Sequence, residues 1–362
     1  MATVDQTGIP NRLTRPRQAA SDVPEWISGI PVSWWVVGVA LLFMPVVAGN
    51  FVLFQIFGWA FILGMIALSL MFLGGYGGMV SLAQMSIAGL AGYMVAILGP
   101  SGVQTISLFW PWWLYIPVAI LIAALFATLI GALAVRTEGI YTIMITLAIA
   151  AAFFYFTRQN YTIFNGYTGF ANVVPPELFG INWRRPIPFY YLTLACAAIS
   201  FAVVVYVSRS PFGLALQGVR DNPRRMAALG FNVFAHRVFA YTFASIIAAV
   251  AGILMVWQNA QIAPGTAGLP AVIDILVIAI VGGLKRPIGP FIGAFIYVIL
   301  RTYAPDILLA LNLPGDRFKL LIGLGFLAVV YWSPDGVLGL WEKWRSHRQT
   351  RGDPLTGQGG KS

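Results

Sequence analysis

Reactive side chains are scarce in this chain, and few stand at spacings that let them converge. Charged residues make up 9% of the 362 positions, and His236 and His347 are the two histidines. Far apart, and without carboxylate or cysteine neighbours at ligand spacing, they give no metal centre and no base for a nucleophile. Cys196 is the single cysteine and lies within an apolar run, so no intrachain disulfide is available. The string LTGQGGKS, 355–362, imitates the end of a phosphate-binding loop, in which backbone donors cradle phosphate at a helix N-terminus, but Leu355 occupies the place of its first glycine. Two features remain. One is the cluster Arg220, Asp221, Arg224, Arg225, His236 and Arg237 in LQGVRDNPRRMAALGFNVFAHRVFAYTFAS, 216–245, set between long apolar runs. Its chemistry is recognition by charge, because guanidinium forks match carboxylates and lipid phosphates. The other is Asp274, a lone acid inside an apolar segment.

The elements that must position these groups follow from composition. Hydrophobic residues account for 59%, against about 45–50% in an ordinary soluble domain. No Asp, Glu, Lys, Arg or His occurs anywhere in 26–135. Such a stretch supplies several crossings of ~20 residues each, so the expected fold class is all-α, a polytopic transmembrane helical bundle. Apolar runs between breakers give about ten membrane segments, at 34–55, 56–74, 79–98, 113–135, 139–157, 188–208, 238–257, 268–284, 287–304 and 318–333. With the N-terminus in the cytoplasm, alternation puts sixteen of the 22 Lys and Arg on the cytoplasmic side and six on the other, the asymmetry of the positive-inside rule, with both termini cytoplasmic. The net charge of +10 then reflects topology and contact with anionic membrane lipid, and it implies no nucleic-acid partner. The chain divides into a cytoplasmic N-terminal segment 1–33, a transmembrane domain 34–333 carrying a cytoplasmic loop at about 209–237, and a basic cytoplasmic tail 334–362. The N-terminal segment lacks a short apolar region with a small-residue cleavage site, so the first crossing is expected to serve as an uncleaved signal.

Within the charged loop, Asn222 suits a helix N-cap, Pro223 the first helical position and Gly230 a left-handed stop, which predicts a helix of about two turns over 223–229. So short a helix is stable only when docked. Two readings stay open for it: docking on an acidic partner surface or lipid headgroups, or a solvated loop that obeys the positive-inside rule. Glycine pairs interrupt two apolar segments, GGYGGMVSLAQ at 74–84 and VGGLKRPIGPFIGA at 281–294, each followed by a small-residue helix. Breaks at membrane depth survive against protein or along a water-filled path. Gly75, Tyr76, Ser81, Gln84, Gly282 and Gly283 are therefore candidates for lining a translocation path, with close helix packing as the alternative. A faint echo between AVRTEGIY and YVSRSPFGLA fits two pseudo-repeated halves with broken helices. Asp274 joins the path candidates because an intramembrane acid is a functional candidate by default, as in a proton- or sodium-coupled carrier. The competing reading is that it reaches the interface or pairs with a neighbour near the outer end of its span.

The string GVRDNPRRMAALGFNVFAHRVFAYTFASIIAAVAGIL, followed by VIAIVGGLKRPIGPFIGAFI, resembles the second half of the permease subunits of branched-chain amino-acid ABC importers, the LivM type. GGYGGMVSLAQMSIAGLAGYMVAIL and EGIYTIMITLAIA resemble the first half, so the likeness covers roughly 56–300 in separated blocks. The resemblance implies that Arg220, Asp221, Asn222, Pro223, Arg224, Arg225, Ala227, Ala228 and Gly230 belong to the loop that docks on an ATPase and couples to it. It further implies a LivH-type permease partner, two cytoplasmic ABC ATPases, an extracytoplasmic substrate-binding protein and a place in the bacterial inner membrane. ATP would be hydrolysed by the partner subunits, leaving this chain without a cofactor, a metal or a catalytic residue. The implied cargo is a branched-chain or related small amino acid, with urea or short amides as a variant within the same family. One segment departs: where members carry a Thr-Gly-Gly-x-Asp-Gly-like stretch outside the fifth span, this chain reads FNGYTGF, 164–170, with Thr168 in the place of the acid. That departure bears on the substrate rather than the class. The competing class is an ion-coupled secondary transporter working without partners, whose mark would be a midplane cluster of ionisable groups. A membrane-embedded enzyme would need convergent polar residues at the membrane face, which the sequence does not offer.

Overall fold

The computed structural model describes residues 32–310, apart from 104, 138, 178, 179 and 181, together with 323, 324, 327 and 336. The N-terminal segment up to residue 31, most of the expected crossing at 318–333, Arg317, Lys319 and the basic tail with His347 and the 355–362 string lie outside the described residues. Two units are present. Met1–Ala48 contains α1 (Val32–Val47), a helix of 16 apolar and small residues with Pro45 inside it. Gly49–Ser362 contains every element described below.

Among the described residues, six helices of this second unit are long and apolar enough to cross a membrane, which makes the chain a multi-pass, all-α membrane protein. The first runs from Val52 to Tyr76 as α2 (Trp59–Met71) extended by π-helical turns at Val52–Gly58 and Phe72–Tyr76. After the shorter α3 (Gln84–Leu98) come α4 (Trp112–Ala134), α5 (Ile140–Gln159), the single turn α6 (Tyr161–Phe164) and α7 (Pro186–Arg209). Two short helices, α8 (Pro211–Asp221) and α9 (Pro223–Ala228), lead into α10 (Val233–Asn259). A 3-10 turn at Pro264–Ala267 precedes α11 (Leu269–Gly282), and α12 (Gly289–Ala310) follows. β1 (Phe170–Ala171) and β2 (Gln261–Ile262) pair antiparallel, Phe170 opposite Ile262.

Two expected boundaries differ. No break separates 55 from 56, because the apolar pattern is continuous there and a π turn, one residue wider than an α turn, absorbs the change within a single helix. The expected crossing at 79–98 is helical only from Gln84, since the chain turns at Gly78 with φ +68°. At 15 residues α3 is ~22 Å long, short of the ~30 Å hydrocarbon layer. It survives because it is enclosed by protein, with 13 of its residues buried. Beyond the six long helices, α1, α3 and α12 stand at three further expected positions, and the tenth falls on residues mostly outside those described.

The segment 52–76 and α10 form the centre, 89% and 67% buried, while α4, α5 and α7 are only 33%, 28% and 22% buried and lie at the periphery. The inner face of α4 carries Ala119, Ala123, Ala127 and Gly131, and its outer face Leu121, Leu125, Leu129 and Leu133, all more than half exposed. That is the inverse of a soluble helix. Hydrocarbon tails solvate leucine as well as a protein interior does, so small residues go to the contacts, where backbones approach closely. Gly131 shows the consequence: a Cβ there would stand 2.7 Å from Cβ of Tyr241 on α10.

Loops gather at two ends. At one, Gly102 N donates to Ala171 O (2.8 Å) and Val173 N to Ala260 O (3.0 Å), joining the segments after α3, α5 and α10 beside the β1–β2 pair. At the other, Arg220 on α8 meets Gly75, and Gly75 meets Leu284 beyond α11.

Candidate functional site

The charged loop is built by successive caps. Ser210 accepts from Gly213 N (3.3 Å) to start α8, which Gln217 ties back to α7 by donating to Ser208 O (3.0 Å). Asn222 ends α8 and starts α9, its side-chain oxygen accepting from Arg225 N (2.9 Å), with Pro223 at the first helical position. Gly230, at φ +88°, closes α9: its N–H donates to Ala227 O (3.0 Å) and that of Phe231 to Met226 O (3.1 Å). That pair of bonds satisfies the last carbonyls of the helix and needs a residue at ease with positive φ. Asn232 then caps α10 by accepting from Ala235 N (3.0 Å).

Contacts fix α9 to the fold on one side and leave the other bare. The Met226 sulfur packs on Gly218, where a Cβ would come within 2.9 Å of it. His236 stacks on Phe212 (5.8 Å, 13° between planes) and meets Phe231 edge-on, so it is a packing element. Arg224, Arg225, Ala227 and Ala228 are exposed, with Leu229 at 67%, Phe231 at 40% and Phe234 at 43% beside them. The six-residue helix is thus basic and exposed, and exposed Leu229, Phe231 and Phe234 follow it in the chain, an arrangement costly in water. Arg220 behaves differently. Its Nε pairs with Asp221 (2.8 Å), and its Nη1 donates to the carbonyl of Gly75.

The two glycine breaks meet at that point. A Cβ on Gly75 would fall on the carbonyl of Leu284, and Leu284 follows Gly283, whose φ is +100°. Gly282 lies against the backbone of Gly289, and Gly293 against the carbonyl of Ile278, so the α11–α12 hairpin closes through bare backbone. The Tyr76 ring lies tilted against that of Phe72 (5.8 Å, 59° between planes).

Ser81 and Gln84 sit elsewhere, at 0% and 1% exposure inside the bundle. Ser69 donates to Gln84 Oε1 (3.1 Å), and Leu82 N donates to Thr146 Oγ1 (3.1 Å), which in turn donates to Thr142 O (2.9 Å). Gln84 Nε2 and Ser86 Oγ, both buried, have no hydrogen-bond partner among the described residues. With Cys196 replaced, a cysteine at Ser81 or Gln84 is expected to resist small water-soluble thiol reagents in the conformation described. Rapid labelling at either position without ATP would show instead that water reaches this interface.

Asp274 forms a third group. The Tyr297 hydroxyl on α12 hydrogen-bonds with its carboxylate, and the Arg301 guanidinium, one turn further on, acts on the same hydroxyl. Sequence reasoning missed Tyr297, Arg301, Ser69 and Thr146, whose roles come from neighbours on other helices. The one local signal was the Thr142–Thr146 spacing of four in EGIYTIMITLAIA, which puts both hydroxyls on one helix face.

Comparison with known proteins bears on these groups together. The family described as branched-chain amino acid transport system / permease component matches residues 52–330. The chain is similar to the high-affinity branched-chain amino acid transport system permease protein LivM of Escherichia coli, 22% identical over 249 residues, which cover 62% of this chain and 57% of that protein. It thus spans less than two thirds of that relative. The probable branched-chain amino acid transport permease protein LivM of Methanocaldococcus jannaschii is 24% identical over 61% of the chain and 67% of its own length, and the ribose import permease protein RbsC of Haemophilus influenzae 24% identical over 60% and 69%. No solved structure gives a significant match. The matched range runs from the π-helical start of the central helix past both glycine breaks and the charged loop, and on that extent the chain belongs to the family of permease components of branched-chain amino acid transport systems.

Proposed function

We propose that the chain is a permease subunit of an ATP-binding-cassette importer and forms half of the path for branched-chain or related small amino acids. The observation that carries the reading is α9, an exposed basic and apolar helix held at the end of the bundle where both glycine breaks meet. In this reading Arg224, Arg225 and the bare Leu229 and Phe231 dock on an ATPase, and the Arg220 end faces the cytoplasm, in keeping with the sixteen-to-six distribution of Lys and Arg. Two ATPases hydrolyse the ATP, a LivH-type permease supplies the other half of the path, and an extracytoplasmic binding protein delivers the amino acid. Ten crossings in the bacterial inner membrane, with both termini in the cytoplasm, complete the arrangement.

The competing reading is an ion-coupled carrier built on Asp274, which stands beside Tyr297 on α12. The test is reconstitution of the subunit with its partners in proteoliposomes. Uptake of leucine, isoleucine or valine should need ATP and the binding protein. Asp274→Asn, which keeps a hydrogen-bonding side chain at the site, should retain most uptake with no change in its dependence on sodium or on a pH gradient. Uptake driven by an ion gradient without ATPases, and abolished by Asp274→Asn, would sink the proposal.

A further inference from the structure

Gly75 lies in the π-helical turn Phe72–Tyr76 that ends the central helix. Carbonyls in a last helical turn have no intrahelical donor and must be satisfied from outside. Around this end Gly77 N donates to Phe72 O (3.3 Å) and Met79 N to Leu73 O (2.9 Å), while the Gly75 carbonyl accepts from Arg220 Nη1. The same side chain covers the next turn: Gly78, at φ +68°, would place a Cβ 2.6 Å from Arg220 Cγ. Asp221 holds the guanidinium by its Nε at 2.8 Å, so one planar fork is directed at two acceptors at once. Arg220 is the penultimate residue of α8, whose inner face is buried through Ala215, Leu216 and Val219, and one residue, Asn222, separates α8 from the exposed α9. On its other side Gly75 bears on the Leu284 carbonyl at the α11–α12 turn.

These contacts form one chain from the exposed helix to both glycine breaks. We infer that Arg220 is a positioning residue that ties movement of α9 to the glycine-broken end of the central helix and, through Gly75, to the α11–α12 turn. The inference rests on the docking reading of α9 and deepens it by separating two roles within one arginine-rich run. Arg224 and Arg225 are exposed toward a partner and reach no other element among the described residues, whereas Arg220, itself 38% exposed, reaches back to the Gly75 carbonyl and passes the partner's movement on. Glycines suit the receiving end because backbone without side chains shifts at little steric cost. A carbonyl held by a charged donor is pulled rather than merely abutted.

The test uses the full chain with its ATPases. Arg220→Gln should lower amino-acid uptake by roughly tenfold or more and abolish the stimulation of hydrolysis by substrate, with the ATPases still copurifying. Arg220→Lys, which keeps a charged donor but not the fork, should recover part of both. Loss of copurification in Arg220→Gln would make Arg220 a docking residue, and wild-type uptake would make it dispensable; either result overturns the inference. Hydrogen exchange on the detergent-solubilised chain reads the contact without partners. Amides of 76–80 should lose protection by about tenfold in Arg220→Gln, and unchanged protection would also overturn it. If ATPases fail to bind even the wild type, the docking reading falls and the transmission role falls with it, while lost protection at 76–80 would still identify Arg220 as a helix cap.

Discussion

Arg224→Glu combined with Arg225→Glu is expected to cut amino-acid uptake in the reconstituted complex by roughly tenfold or more, while the subunit inserts and extracts as the wild type does. Both side chains are exposed on α9, and neither makes a side-chain hydrogen bond to the rest of the fold among the described residues, so reversing them removes nothing that holds the subunit together. Against an acidic dock the new carboxylates are like charges, which costs more than losing an attraction. Copurification of the ATPases should weaken further as salt rises, since exposed charge pairs are screened over ~8 Å at physiological ionic strength. Gly230→Val is the companion change. No atom lies within 4 Å of a Cβ at Gly230, so the substitution meets no clash, and its effect comes from forcing a β-branched residue to φ +88°. It should loosen the end of α9 and lower coupling without destabilising the bundle. Near-normal uptake in both variants would return α9 to the status of a solvated loop.

Gly252→Leu is expected to abolish recovery of folded subunit, and Gly252→Ala to lower its melting temperature. Gly252 sits on α10 with the backbone of Ala88 on α3 directly against it, so that a Cβ would fall on the Ala88 carbonyl, Cα and C together. Overpacking a core costs about 1–3 kcal/mol when side chains can adjust. Here the neighbour is backbone, which has no rotamer to turn aside, and α3 and α10 must separate along a buried seam that also includes Gly92 against Val256 and Ile262. Gly265→Ala is the control, because nothing lies within 4 Å of a Cβ there and its φ is not positive. The readouts are the monodisperse fraction after detergent extraction and thermal unfolding by intrinsic fluorescence. A Gly252→Leu subunit as monodisperse as the wild type would show that α3 and α10 do not meet as described.

What the sequence determined by itself was of two kinds, bulk and local. A run from 26 to 135 without an ionisable residue marks membrane-spanning segments, and the Lys and Arg distribution sorts the loops between them into two expected sets. The caps of α9 were also legible, because Asn222, Pro223 and Gly230 act on backbone groups within a few residues of themselves. Hydropathy could not mark the π turns at either end of the central helix, since they change how many residues form a turn and leave the apolar content alone. Nor could it show that α3 is too short to span unaided, because its support comes from the helices packed around it. Ser81 and Gln84 read as path residues for being polar in an apolar run, yet each is buried, and the neighbours arrive from elsewhere in the chain: Ser69 on α2 meets Gln84, and Thr146 on α5 meets the backbone of Leu82 beside Ser81. Arg220 and Arg224 stand four apart in one basic string and both are exposed, but Asn222 ends one helix and begins another between them, so the first reaches back to Gly75 while the second points only to water. Only the tertiary structure decided that the two glycine breaks, about two hundred residues apart in sequence, face each other through Gly75 and Leu284, because removing side chains permits such an approach without specifying which backbone will fill the space.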